Sequence, residues 1–80
     1  MQVIITSVEH TECGKYFLVD CGKTSAHIYI SKLGYINVCC KNASHKVWNK
    51  SGRYFRTFQE ALDGYKSSEM KAIISAVEGA

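Results

Sequence analysis

Gly52-Arg53-Tyr54-Phe55-Arg56-Thr57-Phe58-Gln59-Glu60-Ala61-Leu62 is the stretch in which extended chain gives way to helix and a long run of positive charge ends. Tyr54 and Phe55 stand between two arginines, an aromatic and cationic mixture that suits a strand with one wet face. Thr57-Phe58-Gln59-Glu60 has the form of a capping box: the Thr57 hydroxyl accepts from the Glu60 amide and the Glu60 carboxylate reaches back to Thr57. A helix is therefore expected from Phe58. Glu60 and Asp63 complement the positive end of its dipole.

Downstream the apolar positions change phase. Phe58, Ala61, Leu62 and Tyr65 make one stripe at helical spacing, whereas Met70, Ile73, Ile74 and Val77 make another, rotated by roughly a quarter turn at about 100° per residue. A single straight helix would expose one of them. Gly64 and Ser67-Ser68 lie between the stripes and Ser67 suits an N-cap, so two helices are predicted over 58–66 and 68–78, with one kinked helix as the alternative.

Upstream the sequence reads as strands. Gln2 to Glu9 carries Val3, Ile4, Ile5 and Val8, a near-continuous apolar run that predicts a central strand or one buried on both faces. His10 to Lys15 turns the chain into Tyr16-Phe17-Leu18-Val19-Asp20-Cys21, and Gly22-Lys23-Thr24 turns it back. Connections this short favour antiparallel hairpins, because a parallel crossover needs about a dozen residues. In Ala26-His27-Ile28-Tyr29-Ile30 the alternation assigns Ala26, Ile28 and Ile30 to the core and His27 and Tyr29 to the other face. Tyr35-Ile36-Asn37-Val38-Cys39-Cys40 repeats the pattern, with Ile36, Val38 and Cys40 inward. Tyr29, Tyr35 and His27 then lie on the second face, where aromatics mark a partner site or a loop packed across them. Lys41 to Arg53 is polar apart from Val47-Trp48. It reads as a short strand between turns or as a long loop pinned by Trp48, and Tyr54 to Arg56 follows as the last strand. Strands followed by helices make one α+β domain over residues 1–80, an antiparallel sheet of four to five strands with the C-terminal helices packed on one face.

Composition sets the class. Eighty residues with 46% hydrophobic content describe a single small globular domain. No apolar run reaches the roughly 20 residues that span a bilayer, and the first residues lack the basic-then-apolar form of a signal peptide, so the expectation is a soluble protein of the cytoplasm. Cys13, Cys21, Cys39 and Cys40 contain no C-x-x-C pair, and His10-x-x-Cys13 has no matching pair downstream, which disfavours structural zinc. A Cys13–Cys21 bridge would require the intervening strand to bend. Free thiols are expected, and no metal or cofactor. No nucleophile elbow, phosphate loop or carboxylate pair is present, so the chain reads as non-enzymatic.

Charge is the strongest functional hint. Residues 1–20 carry a net −2 and residues 57–80 another −2, whereas residues 21–56 carry Lys23, Lys32, Lys41, Lys46, Lys50, Arg53 and Arg56 with no acid, against a whole-chain charge of +3. Three readings fit such a segment. It is a solvated face whose lysines protect sheet edges. It binds single-stranded nucleic acid, with the cations on phosphates and Trp48, Tyr54 or Tyr35 stacked on bases. Or it docks on a protein partner, anchored by Trp48, Tyr54 and Arg53.

The ending "GRYFRTFQEALDGYKSSEMKAII", on a chain of some eighty residues with several short strands, resembles the small proteins of phages and other mobile elements, anti-CRISPR inhibitors among them. The resemblance is one of size and style over Gly52 to Ile74. It implies stoichiometric, non-catalytic binding to a host CRISPR effector, blocking nucleic-acid access in the host cytoplasm. The expectation is thus a binding module for a host protein or ribonucleoprotein complex, using Lys41, Lys46, Trp48, Lys50, Arg53, Tyr54 and Arg56, with direct nucleic-acid binding through residues 41–56 as the alternative. An unpaired outer strand near Gln2 or Tyr54 would ease self-association, leaving monomer and homodimer both open.

Overall fold

The computed structural model describes residues 2–42 and 52–80. Five strands, β1 (Val3–His10), β2 (Gly14–Cys21), β3 (Thr24–Ser31), β4 (Ile36–Asn42) and β5 (Arg53–Phe55), precede two helices, α1 (Phe58–Asp63) and α2 (Ser68–Glu78). The strands form one antiparallel sheet in the order β1-β2-β3-β4-β5, a meander in which each strand pairs with its neighbour in sequence. This is the α+β arrangement that the order of patterns predicts, with two helices rather than one bent one.

The turns explain why the hairpins are tight. Gly22 adopts φ 61, the left-handed conformation that glycine enters without steric cost, at the β2–β3 turn. Gly14 lies so close to the Ile30 carbonyl that no Cβ could be accommodated. Thr11 closes the first hairpin: its hydroxyl accepts from the Cys13 and Gly14 amides at 3.2 and 3.0 Å.

Alternation decides the core. Phe17, Val19 and Cys21 from β2, Ala26 and Ile28 from β3, and Ile36 and Val38 from β4 are buried on one face of the sheet. Against them lie Ala61 of α1 and Met70, Ile73, Ile74 and Val77 of α2. Burying a branched aliphatic side chain contributes about 1.5–3 kcal/mol, so these residues account for most of the cohesion of the fold. The helix break falls where the change of phase placed it. Ser67 caps α2, its hydroxyl accepting from the Met70 amide at 3.3 Å. The first helix stops at Asp63, short of the predicted 66: Gly64 is its C-cap, and from there the Gly64 and Tyr65 amides tighten onto the Ala61 and Leu62 carbonyls three residues back.

Two expectations need correction. The apolar run of β1 does not make it central. It is an outer strand, paired only with β2 among the described residues, and from Thr6 to His10 every residue is exposed. An extra residue between Ile5 and Ser7 also interrupts its register, so Val8 lies three positions from Ile5 yet shares the face of the buried Phe17. The capping box is half made. Thr57 accepts from the Glu60 amide at 3.0 Å, but the Glu60 carboxylate accepts from the Arg56 amide at 2.9 Å. All four cysteines are free thiols.

Candidate partner-binding face

Helix-facing side chains on one parity leave the other parity for the opposite face. Pairing aligns Glu9, Tyr16, Tyr29, Asn37 and Tyr54 as one row running across all five strands. The next row back is Ser7, Leu18, His27 and Cys39. Neither helix lies on this side.

The rings in these rows touch. Tyr16 stands 4.9 Å from His27 and 4.3 Å from Tyr29, measured between ring centroids. Tyr35, just ahead of β4, fills the step over Asn37, 6.1 Å from Tyr29 and 5.6 Å from Tyr54. Aromatic pairs at such separations and tilts each contribute about 0.5–1.5 kcal/mol beyond burial, so the rings stiffen the sheet by packing on one another. Tyr54 ends it, 68% exposed, while Leu18 adds an uncovered aliphatic group at 37%.

Electrostatics on this face are mixed. Glu9 and Asp20 share it, and the Asp20 carboxylate accepts from the Ser25 hydroxyl at 2.6 Å. The Tyr29 hydroxyl is pushed up from its ordinary value of 10.0, first by partial desolvation and then by the neighbouring Cys13, Tyr16 and Tyr35, with Thr11 opposing. Desolvation and then Cys40 push up the Cys39 thiol, whose Sγ donates to Asn37 Oδ1 at 3.4 Å. Both groups therefore stay protonated near neutrality, and the face offers hydroxyls, a thiol and ring edges rather than an ionised nucleophile.

The residues singled out from sequence divide between the two faces. Tyr54 joins the tyrosine row. Arg53 does not: it pairs with Val38 and lies on the helix side. There Nη1 donates to the Gly64 carbonyl at 2.5 Å, and the guanidinium sits 5.1 Å from the Phe55 ring centroid and 4.9 Å from that of Tyr65. That arginine ties β5 to the end of α1. Arg56 is exposed at the β5–α1 junction, and Lys41 occupies a position in β4 opposite Ser25. Lys46, Trp48 and Lys50 lie outside the described residues, as do most of the residues read as a strand or a Trp48-pinned loop.

Tyr16 is the contributor that sequence reading passed over. The signal was available, since in Tyr16-Phe17-Leu18-Val19-Asp20-Cys21 the parity opposite to Phe17, Val19 and Cys21 carries Tyr16.

Elsewhere the described surface has a concavity of about 310 Å³ lined by Phe17, Ile30, Phe58 and Val77 with Lys15, Lys32 and Glu78. Its charges are of both signs. Among the described residues no three histidine, cysteine or carboxylate side chains are grouped to hold a metal, and no helix is long and apolar enough to cross a membrane. No protein-family model matches the chain, and neither curated proteins nor solved structures provide a match.

Proposed function

We propose that this protein is a non-catalytic binding module that docks on a host protein or nucleoprotein complex through its tyrosine-bearing sheet face, in the manner of the mobile-element inhibitors its C-terminal part resembles. The observation that carries this reading is the contiguous row of Tyr16, Tyr29, Tyr35 and Tyr54 on a face that, among the described residues, neither helix covers. Tyrosine supplies large, rigid contact area with a polar tip at low entropic cost, which is why it is enriched in protein interfaces. The ring packing favours protein over nucleic acid. Neighbours only 4.3–6.1 Å apart occupy part of one another's faces, whereas base stacking needs those faces free. Glu9 and Asp20 on the same side would also oppose a phosphate backbone.

Direct binding of single-stranded nucleic acid is the second reading. It is favoured by Tyr54, whose exposed ring follows Lys46, Trp48 and Lys50 in sequence within the acid-free segment. In either reading the acid-free segment that carries Lys41, Lys46, Lys50 and Arg56 in sequence contributes the positive charge, and the cytoplasm of the host is the site of action.

One pair of measurements separates the two. The double variant Tyr29→Ala/Tyr54→Ala should lose the complex that the wild-type protein forms in host lysate, while still unfolding in one cooperative transition above the assay temperature. Equal retention by both would discard the tyrosine face. A gel-shift titration with single-stranded oligonucleotides at two salt concentrations tests the alternative: affinity falling steeply with salt would promote it, and no shift at micromolar protein would remove it.

A further inference from the structure

We propose that the protein forms a symmetric dimer by pairing the outer edge of β1 with β1 of a second copy, antiparallel and centred on Val8, which joins the two sheets into one of ten strands. This goes beyond the binding role and does not rest on it.

The direction of the backbone groups is the first support. The Thr11 amide donates to the Gly14 carbonyl at 2.8 Å, which makes His10 and Lys15 a pair that exchange no hydrogen bonds with each other. The same holds two residues back for Val8 and Phe17. The N–H and C=O groups of Val8 and His10 therefore point away from β2, toward the outer edge. Among the described residues nothing meets them there.

The character of the edge is the second support. Long exposed edges are usually blunted by charged side chains, lysine above all, by proline or by a bulge. From Val3 to His10 there is no lysine or proline, and Glu9 is the one acidic residue. Ile4 and Val8 are 50% and 46% exposed, although both are β-formers in the middle of paired backbone. Only the extra residue at Thr6 breaks the edge, and it leaves Ser7 to His10 regular.

Among the described strands, self-pairing suits this edge best. The opposite edge, β5, has three residues against eight in β1. A β1–β5 contact would also be head-to-tail and would propagate without closing, whereas β1–β1 closes on a two-fold axis. Centring the pair on Val8 sets Glu9 opposite the partner copy's Ser7 and His10 opposite its Thr6. The two carboxylates are thus kept apart, and the two valines meet as a β-branched cross-strand pair. Because a two-fold axis perpendicular to the sheet preserves its faces, both tyrosine rows would lie on one side and all four helices on the other.

Sedimentation equilibrium of the full chain from low to high micromolar concentration should show a monomer–dimer equilibrium. Val8→Lys and Val8→Glu should each weaken it at least tenfold, because like charges would then be directly opposed, and mixing the two variants should restore a heterodimer. Hydrogen exchange of the wild-type chain needs no substitution: the Val8 and His10 amides should gain protection with rising concentration. A wild-type monomer at every concentration, Val8→Lys dimerising as wild type does, or exchange at Val8 and His10 independent of concentration would each overturn the proposal.

Discussion

The two faces of the sheet use the same strands for opposite purposes. Under the helices, Val19, Ile28 and Val38 are almost wholly shielded from water, and their worth comes from area removed from solvent. On the other side Tyr16, Tyr29, Tyr35 and Tyr54 pack ring against ring at tilted and T-shaped angles. They hold one another in place, half-buried along the row and exposed at Tyr54. Adjacent residues of β3 therefore belong to different regimes: Ile28 holds the fold together, and Tyr29 presents a surface. A core position is costly to truncate whatever the partner, whereas a surface ring is costly only when a partner is there.

The sharpest way to break this comparison is to truncate neighbours. Ile28→Ala should destabilise the domain by about 2–5 kcal/mol in a urea titration, the usual cost of a cavity in a closed core. Tyr29→Ala, one residue along, should cost less, about 1–3 kcal/mol, the worth of its two ring pairs with Tyr16 and Tyr35. Comparable losses would mean that the tyrosine side is covered after all.

Arginine 53 tests where the boundary between the faces runs. Since it is bonded to the Gly64 carbonyl and laid on Phe55 and Tyr65, Arg53→Ala should lower stability by about 1 kcal/mol, the net worth of a partly exposed hydrogen bond. Capture of a partner by the remaining folded protein should persist. Lost capture at unchanged melting temperature would return this residue to the docking surface. Thr57→Ala should cost about 1 kcal/mol by removing the α1 cap, again measured by thermal melting and again without effect on binding.

The smallest effect is expected at Tyr65. Its hydroxyl is buried and meets no partner at hydrogen-bonding geometry, although Cys40 and Arg53 both act on its titration. Desolvation first, and then Cys40, pushes its titration well above the ordinary 10.0, against a weaker lowering by Arg53. Removing a polar group that makes no bond is close to neutral, so Tyr65→Phe should stay within about 1 kcal/mol of wild type at pH 7. The alkaline limb should differ more. A phenol whose folded titration is raised contributes stability that is fully present below its unfolded value and lost as pH rises toward its folded one. Wild-type stability should thus decline above pH 10, and the phenylalanine variant should decline less; parallel curves would show that Tyr65 is not the group responsible.

Several features were legible in the chain because they are local. The Thr57 cap, the Ser67 start of a second helix and the hairpins between Tyr16 and Cys40 depend on residues a few positions apart, where backbone chemistry is decided by immediate neighbours. The inward parity of Ile28 and Val38 follows from strict alternation. The place of β1 was not legible. Val3, Ile4, Ile5 and Val8 look like a central strand, but a composition rich in β-branched residues reports a preference for pleated backbone and says nothing of which sides another element will occupy. The role of Arg53 was hidden for a similar reason, because its partners Gly64 and Tyr65 come from a helix end that folds back onto β5.

The sequence by itself determined the element types, their order and the division of each inner strand into an apolar and an aromatic side, because a two-residue period and a cap are written in adjacent positions. Only the tertiary structure decided that the tyrosines of three strands and of the residue before β4 join in one row, that Arg53 turns from the supposed docking surface to the helices, and that β1 stands at the rim. Those outcomes depend on strand order and register, which arise from contacts between residues far apart in the chain.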